Sequence, residues 1–391
     1  MREVVGLHLG QAGVGVGEAL WQHLAREQGA VGDAMDHTVF FEEREAGGLV
    51  PRAVFGDLDP EVMGGLGRRG AWAEGALHSG REDAASNYFR GRYHLGAEVG
   101  AAVAEGVRRR LEVCTSARGL LLTYSLAGGG GASLASILLE GHLADLAPKA
   151  TKLAVSLLPS PRFSTSTVEA YNTVLALADQ EEHTDMALHL DNQALYSLAL
   201  ERGTAEPALG HLNTLVADTL AAVTLGLRRG QGHTSLASLA LALVPRPSLH
   251  HLAPAWLGKG GSLTPLLSGG GGRVSIAGCV FPTFPSPSSL PSSLCCKRRR
   301  VQPTLDSTCS FLVDNNTAFA STLHSVLGHF DRLYSKRAFV HWFVGLGLED
   351  SLFDYSREHV SRVEEEYRGA EAGVVEEEEM EAGEEEEVLT V

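Results

Sequence analysis

Short apolar runs alternate along the chain with segments in which apolar residues recur every three or four positions. "VVGLHL", Val4 to Leu9, predicts a strand, followed by a glycine-rich turn and an amphipathic helix ending near Gly29. Val54–Leu58 predicts a second strand that ends beside an aspartate. "GREDAASNYFRGRYHLG" reads as a polar loop carrying Asp83, and "AAVAEGVRRRLEVC" as a helix. "GLLLTY" predicts a buried strand, which passes through Gly128–Gly131 into a helix from about Ser133. Lys152–Pro159 and "DMALHL" predict strands; "STVEAYNTVLALADQ" and "DNQALYSLAL" predict helices. A long apolar helix spans Leu209–Leu227, and apolar character continues to Pro245. This alternation predicts an α/β fold with a parallel sheet covered on both faces.

The pattern breaks in residues 252–310. "GGGG", "PTFPSPSSLPSS" and "CCKRRR" carry too much glycine, proline and serine for an ordinary core segment. A divergent linker and translated non-coding sequence both fit this composition. Helical patterning returns after Phe311, with an aromatic cluster in "KRAFVHWFVGLGLED". A charged helix is expected from Asp354 to about Arg368, then a disordered acidic tail.

Charge sharpens the picture at that end. From Glu364 onward thirteen glutamates face one arginine, so this segment holds −12 of the formal −16. The rest is near neutral and offers no long basic face, which argues against a nucleic-acid partner. Five irregularly spaced cysteines without a CxxC pair fit a reducing compartment. No apolar run reaches membrane-spanning length and the start lacks a signal-like segment, so a cytoplasmic protein is expected. None of the sixteen histidines, His250 and His251 included, has zinc spacing with a third ligand in the sequence.

The candidate chemistry lies in the two glycine-rich turns, Gly10–Gly17 and Gly128–Gly131. Each joins a strand to a helix. Glycine permits positive φ and leaves backbone N–H groups open to an anion, and the following helix adds its N-terminal dipole. Neither turn matches GxxxxGK[ST] or a clean dinucleotide fingerprint. Spacing alone therefore supports a nucleotide site or two tight turns.

The words of the sequence go further. "MREVVGLHLGQAG", "VPRAVFGDLDP", "KLAVSLLPSPRFSTSTVEAYN", "EHTDMALHLDNQALY" and "SKRAFVHWFVGLGLED" occur in the order found in tubulins. The chain resembles the tubulin family; His8, Ala12 and Lys336–Phe339 favour the alpha type. The resemblance implies a Rossmann-like GTPase domain over residues 1–208 and a core helix over 209–227. It implies a shortened α+β intermediate domain over 228–310, C-terminal helices over 311–370 and an acidic tail over 371–391. It implies GTP and Mg²⁺ at a non-exchangeable site, pairing with beta-tubulin, and a structural role in microtubules. The tail would attract basic accessory proteins and motors.

Carried over residue by residue, the resemblance assigns Gln11, Ala12, Asp83 and Ala84 to the phosphates. Ser125, Gly128, Gly129, Gly130 and Gly131 fall on the signature loop. Asp57 and Asp59 fall near Mg²⁺, a hard cation suited to oxygen ligands. Thr165 and Glu169 match sugar contacts, and Asn192 and Asn213 match the amides that read guanine. Local readings compete: Asn192 as a helix N-cap, Asp57 as a turn cap.

Several positions depart from the family pattern. Gly130 replaces a threonine; one lost hydrogen bond to a charged group is worth about 1.5–3 kcal/mol. Ala127 replaces a glycine, Ser86 an asparagine, Asp59 a glutamate, and Leu209 a tyrosine that stacks on guanine. Ser238 stands at the position of the catalytic glutamate, and no carboxylate occurs between Gly230 and Trp256. A serine cannot serve alone as that general base. An assembly-incompetent relative is therefore the alternative to a microtubule subunit.

Overall fold

The computed structural model describes residues 2–31, 35–44, 48–68, 72–160, 166–230, 234–258, 263–267, 275–282 and 310–388. Strand β1 (Glu3–Leu9) leads into helix α1 (Gly10–Val31). A small hairpin, β2 (Phe41–Glu43) and β3 (Leu49–Pro51), precedes β4 (Ala53–Asp57), α2 (Pro60–Gly67) and β5 (Leu77–Ser79). Helix α3 (Tyr88–Arg90) runs through a π-helical turn, Gly91–Leu95, into α4 (Gly96–Val113). The stretch around Asp83 is therefore a loop only as far as Asn87, whose side chain accepts from the Arg90 N–H and caps the helix.

Next come β6 (Ala117–Ser125), α5 (Gly130–Ile137), a π-helical turn (Leu138–His142) and α6 (Leu143–Leu146). Then follow β7 (Thr151–Leu158), α7 (Glu169–Gln180), β8 (Met186–Asp191) and α8 (Asn192–Glu201). These strands run parallel in the order β8-β7-β6-β1-β4-β5. Their side chains alternate between two cores. Leu120, Leu122 and Tyr124 of β6 face one, and Leu121 the other. Burial on both faces explains why β1, β4 and β6 read as continuous apolar runs.

Helices α9 (Leu209–Val223) and α10 (Leu225–Arg229) replace the single helix expected over Leu209–Leu227. The break falls at Thr224, whose hydroxyl donates 2.7 Å to the Leu220 carbonyl and competes with the helical ladder. Helix α11 (Leu236–Leu243) follows, then β9 (His251–Leu257) and β10 (Leu263–Pro265), and β11 (Ser275–Pro282) and β12 (Ser310–Asn316). β9 pairs parallel with β8 and antiparallel with β10 and β12, making one ten-stranded sheet.

Composition is thus an incomplete guide to residues 252–310. Leu252, Ala253, Cys279 and Phe311 are buried core residues. The proline- and serine-rich stretch and Lys297–Arg300 lie outside the described residues. Helices α12 (Ala318–Tyr334), α13 (His341–Val344) and α14 (Asp350–Val388) complete the chain. The helix expected to end near Arg368 continues instead through the acidic tail to Val388, where a disordered segment was expected. Among the described residues, no helix is long and apolar enough to cross a membrane.

A charge cluster holds α1 to α9 and α10. His23 lies 3.1 Å from Asp218 and 3.3 Å from Glu27, and Glu27 pairs with buried Arg228. Hydrogen bonds that the imidazolium donates to Asp218 and Glu27 raise the His23 pKa to about 9 from 6.5. Its stabilisation is complete below pH 6.5 and disappears as pH rises through about 9. Thermal melts should therefore weaken by about 1 kcal/mol between these limits, allowing for solvent screening. His23→Gln should abolish that part of the slope.

Candidate nucleotide-binding crevice

The sheet reverses its winding at β1. The chain first moves outward to β4 and β5, then returns to β6 and proceeds the other way to β7 and β8. Such a switch opens a crevice at the carboxyl ends of the strands, where ligands bind α/β sheets. Both glycine turns lie there.

Gly10 takes φ +69°, a conformation that favours glycine. A Cβ on Gly10 would lie 2.6 Å from the Gly131 Cα, and one on Gly131 would lie 2.7 Å from the Leu9 carbonyl oxygen. Neither atom fits, so both residues must lack side chains for the turns to meet. Gly129 sits equally close to a third segment, with its Cβ position 2.5 Å from the Asn87 nitrogen. Gly128 faces open space.

The second turn uses its glycines differently from the sequence expectation. None of Gly128–Gly131 has positive φ, and α5 begins at Gly130 rather than near Ser133. Close approach is the constraint there. Ala127 also avoids positive φ, so a side chain there carries no backbone strain.

Gln11 and Ala12 occupy the first turn of α1, Gln11 exposed and Ala12 half-buried. Ala84 is buried; Asp83 is exposed and accepts from the Ala85 N–H at 2.9 Å. Ala85 and Ser86 are both left-handed, at φ +51° and +55°. An L-residue in this region costs roughly 1–2 kcal/mol, less for asparagine than for serine. Ala85 and Ser86 therefore store strain beside Gly129.

Asp57 is the charged floor of the crevice. Its Oδ1 accepts from the Asp59 N–H at 3.4 Å, so it does serve the turn, while its buried Oδ2 has no partner. Burial, with Asp59 and Asp83 nearby, pushes the carboxyl up to about 7. Asp59 caps α2 through the Glu61 N–H at 2.9 Å. A buried, unpartnered carboxylate oxygen among further acids fits a hard divalent cation. The position corresponding to a Gly130 Cβ lies 3.5 Å from Asp57 Oδ1, bringing this group to the glycine turn.

The remaining residues divide. Ser125 donates to the Leu157 carbonyl at 3.3 Å. Buried Glu169 accepts from the Ser166 N–H at 3.1 Å at the start of α7. Thr165 lies outside the described residues. The N-cap of α8 is Asp191, which accepts from the Ala194 N–H, so Asn192 is not the cap. Asn213 sits beside Gly15, its Nδ2 2.5 Å from that glycine's Cβ position. Exposed Leu209 is one turn away on the same face of α9. Ser238 lies elsewhere, on α11, and its hydroxyl donates to the Ser235 carbonyl at 2.8 Å in a local cap.

Sequence reasoning missed Asn172. This fully buried α7 residue donates to the carbonyls of Ser86 (2.7 Å) and Ala127 (3.0 Å) and accepts from the Tyr88 N–H (3.0 Å). It ties the strained loop to the glycine turn. Only its place in a helix facing the crevice could have flagged it.

Two outcomes follow. Asn172→Ala leaves three backbone groups short of partners and should cost about 3 kcal/mol in chemical denaturation. Asp57→Asn removes an unfavourable buried charge. It should raise stability at pH 8 by roughly 1–3 kcal/mol without divalent cation, while removing any stabilisation by Mg²⁺. An acid with raised pKa loses stability as pH climbs from about 4 to 7, so the gain should vanish near pH 4.

Residues 3–199 match the family model described as the Tubulin/FtsZ family, GTPase domain. The chain is 31% identical to the tubulin alpha-1 chain of Arabidopsis thaliana, over 94% of its own length and 96% of the relative's. It is likewise 31% identical to the tubulin alpha-3 chain of Saccharomyces cerevisiae, over 94% and 97% of the two chains. With two glycine turns meeting at the sheet's switch point and similarity along nearly its whole length, the chain belongs to the tubulin family, as a divergent alpha-tubulin-like protein.

Proposed function

We propose that this protein binds GTP with Mg²⁺ in the crevice above β1 and β6, pairs with a beta-tubulin, and serves as a structural subunit of cytoplasmic microtubules. The observation that carries the nucleotide reading is the meeting of Gly10 and Gly131 beside the orphaned Asp57 carboxylate. The N-termini of α1 and α5 converge there, offering backbone N–H groups and two dipoles to an anion. Gln11, Ala12, Asp83, Ala84, Ser125 and Gly128–Gly131 would surround the phosphates. Thr165 and Glu169 would reach the sugar, and Asn192 and Asn213 the guanine edge. Asp57 and Asp59 would hold Mg²⁺, which neutralises phosphate charge when bound.

Catalysis is a separate matter. The Ser238 hydroxyl is engaged in a helix cap, and the segment around it carries no carboxylate. This favours a subunit that holds nucleotide without activating water on a neighbour's GTP. Half-exposed Trp342 and Val344 on α13 offer apolar surface for a partner.

Purified protein should release close to one guanine nucleotide per chain on denaturation, and should sediment with beta-tubulin polymer. Polymers containing it should hydrolyse GTP more slowly than ordinary ones. Absence of nucleotide, with none taken up in Mg²⁺, would reject the site. Nucleotide binding without co-sedimentation would instead identify an assembly-incompetent relative.

A further inference from the structure

On the opposite flank of the sheet a second group of side chains gathers, with no part in the nucleotide crevice. Glu181 follows α7, His250 precedes β9 and His251 opens it, and His359 projects from α14. Sequence spacing offered no third ligand for these histidines; the fold supplies one. Donor atoms of Glu181, His250 and His251 all lie within 4.8 Å of one another. Drawing them onto one ion at about 2.0–2.1 Å needs side-chain movements of only about an ångström.

The surrounding hydrogen bonds aim these donors. His250 Nδ1 donates to the Pro247 carbonyl at 2.7 Å, which makes Nε2 the ring's acceptor nitrogen. Thr184 Oγ1 lies 3.1 Å from that Nε2. His251 Nδ1 meets His189 Nε2 at 2.8 Å, and His189 Nδ1 meets Ser156 Oγ at 2.7 Å. His251 Nε2 is buried without a partner. His251 and Glu181 both line two small cavities of about 10 Å³ each, with His250 adjoining in sequence. Such volumes suit a single water or ion. Glu181 Oε2 accepts from His359 Nε2 at 2.7 Å, which orients the carboxylate.

We propose that Glu181, His250 and His251 bind one Zn²⁺ ion, which ties α7 to β9 and, through His359, to α14. Two imidazoles and a carboxylate form a borderline donor set suited to zinc rather than to Mg²⁺, and a water completes four-coordination. Each ligand already has an oriented outer partner: the Pro247 carbonyl, His189 and His359.

The test uses the full chain, stripped with chelator and held in excess Mg²⁺. Co²⁺ is titrated while visible absorption is followed, then Zn²⁺ is added in competition. One equivalent of Co²⁺ should give the bands of a four-coordinate site, and Zn²⁺ should abolish them. Zn²⁺ should also raise the melting temperature. His251→Gln and Glu181→Gln should each weaken uptake at least about tenfold. Glu181 is only half-buried, and glutamine still accepts from His359, so this variant decides the matter if His251→Gln does not fold. Lack of saturable uptake would overturn the proposal and leave a single water as the occupant. Uptake unchanged in folded Glu181→Gln would also overturn it, placing the ion elsewhere, as on the acidic tail.

Discussion

Everything at the carboxyl ends of the central strands depends on two backbones being allowed to touch. Gly10 and Gly131 are close enough that one methyl group on either would force β1 and β6 apart or tilt a helix. Gly13 extends the same constraint along α1, because a Cβ there would collide with the Thr123 carbonyl of β6. Convergence of α1 and α5 is thus fixed by missing side chains rather than by an attractive pair. Attraction comes afterwards, from the apolar faces that the two helices bury against the sheet.

The same division sorts some of the departures from the family pattern. Gly10, Gly129 and Gly131 act through close backbone approach and match that pattern, whereas Gly130, Leu209 and Ser86 depart from it at positions that would act through a side chain. Losing a hydroxyl or an aromatic ring leaves the crevice standing, and under the proposed nucleotide binding it would trim affinity by a few kcal/mol. Adding a Cβ at Gly131 would remove the crevice itself. Asn172 belongs with the first kind. It is a side chain, but its partners are backbone groups of the two turns.

Much of this was legible before any coordinates. β1, β6 and β7 announce themselves because strands buried on both faces must be apolar throughout. The end of a helix is less legible, since Thr224 breaks α9 by a hydrogen bond that no periodicity reports. The strands of residues 252–316 were hidden for another reason. Their partners are remote, β12 joining β9 and β11 from across the glycine- and proline-rich stretch, and composition weighs that stretch as a whole. Site residues on strand ends could be listed, but Asn172 could not, because its role lies in three contacts to distant turns.

The histidine cluster marks the same boundary from the energetic side. Phe319 stacks on both His189 and His251, so these imidazoles lie within an aromatic core where leucine or phenylalanine would carry no polar cost. Burial disfavours their charged forms, and each ring nitrogen needs a partner. The relay from Ser156 through His189 to His251 satisfies all but the last nitrogen. A relay of neutral rings can run in two directions, leaving at its end either an N–H without an acceptor or a lone pair without a donor. Packing alone gives no reason to build such a chain and stop one atom short. A terminal lone pair facing a carboxylate and a second imidazole is a geometry in which that last atom has chemical use.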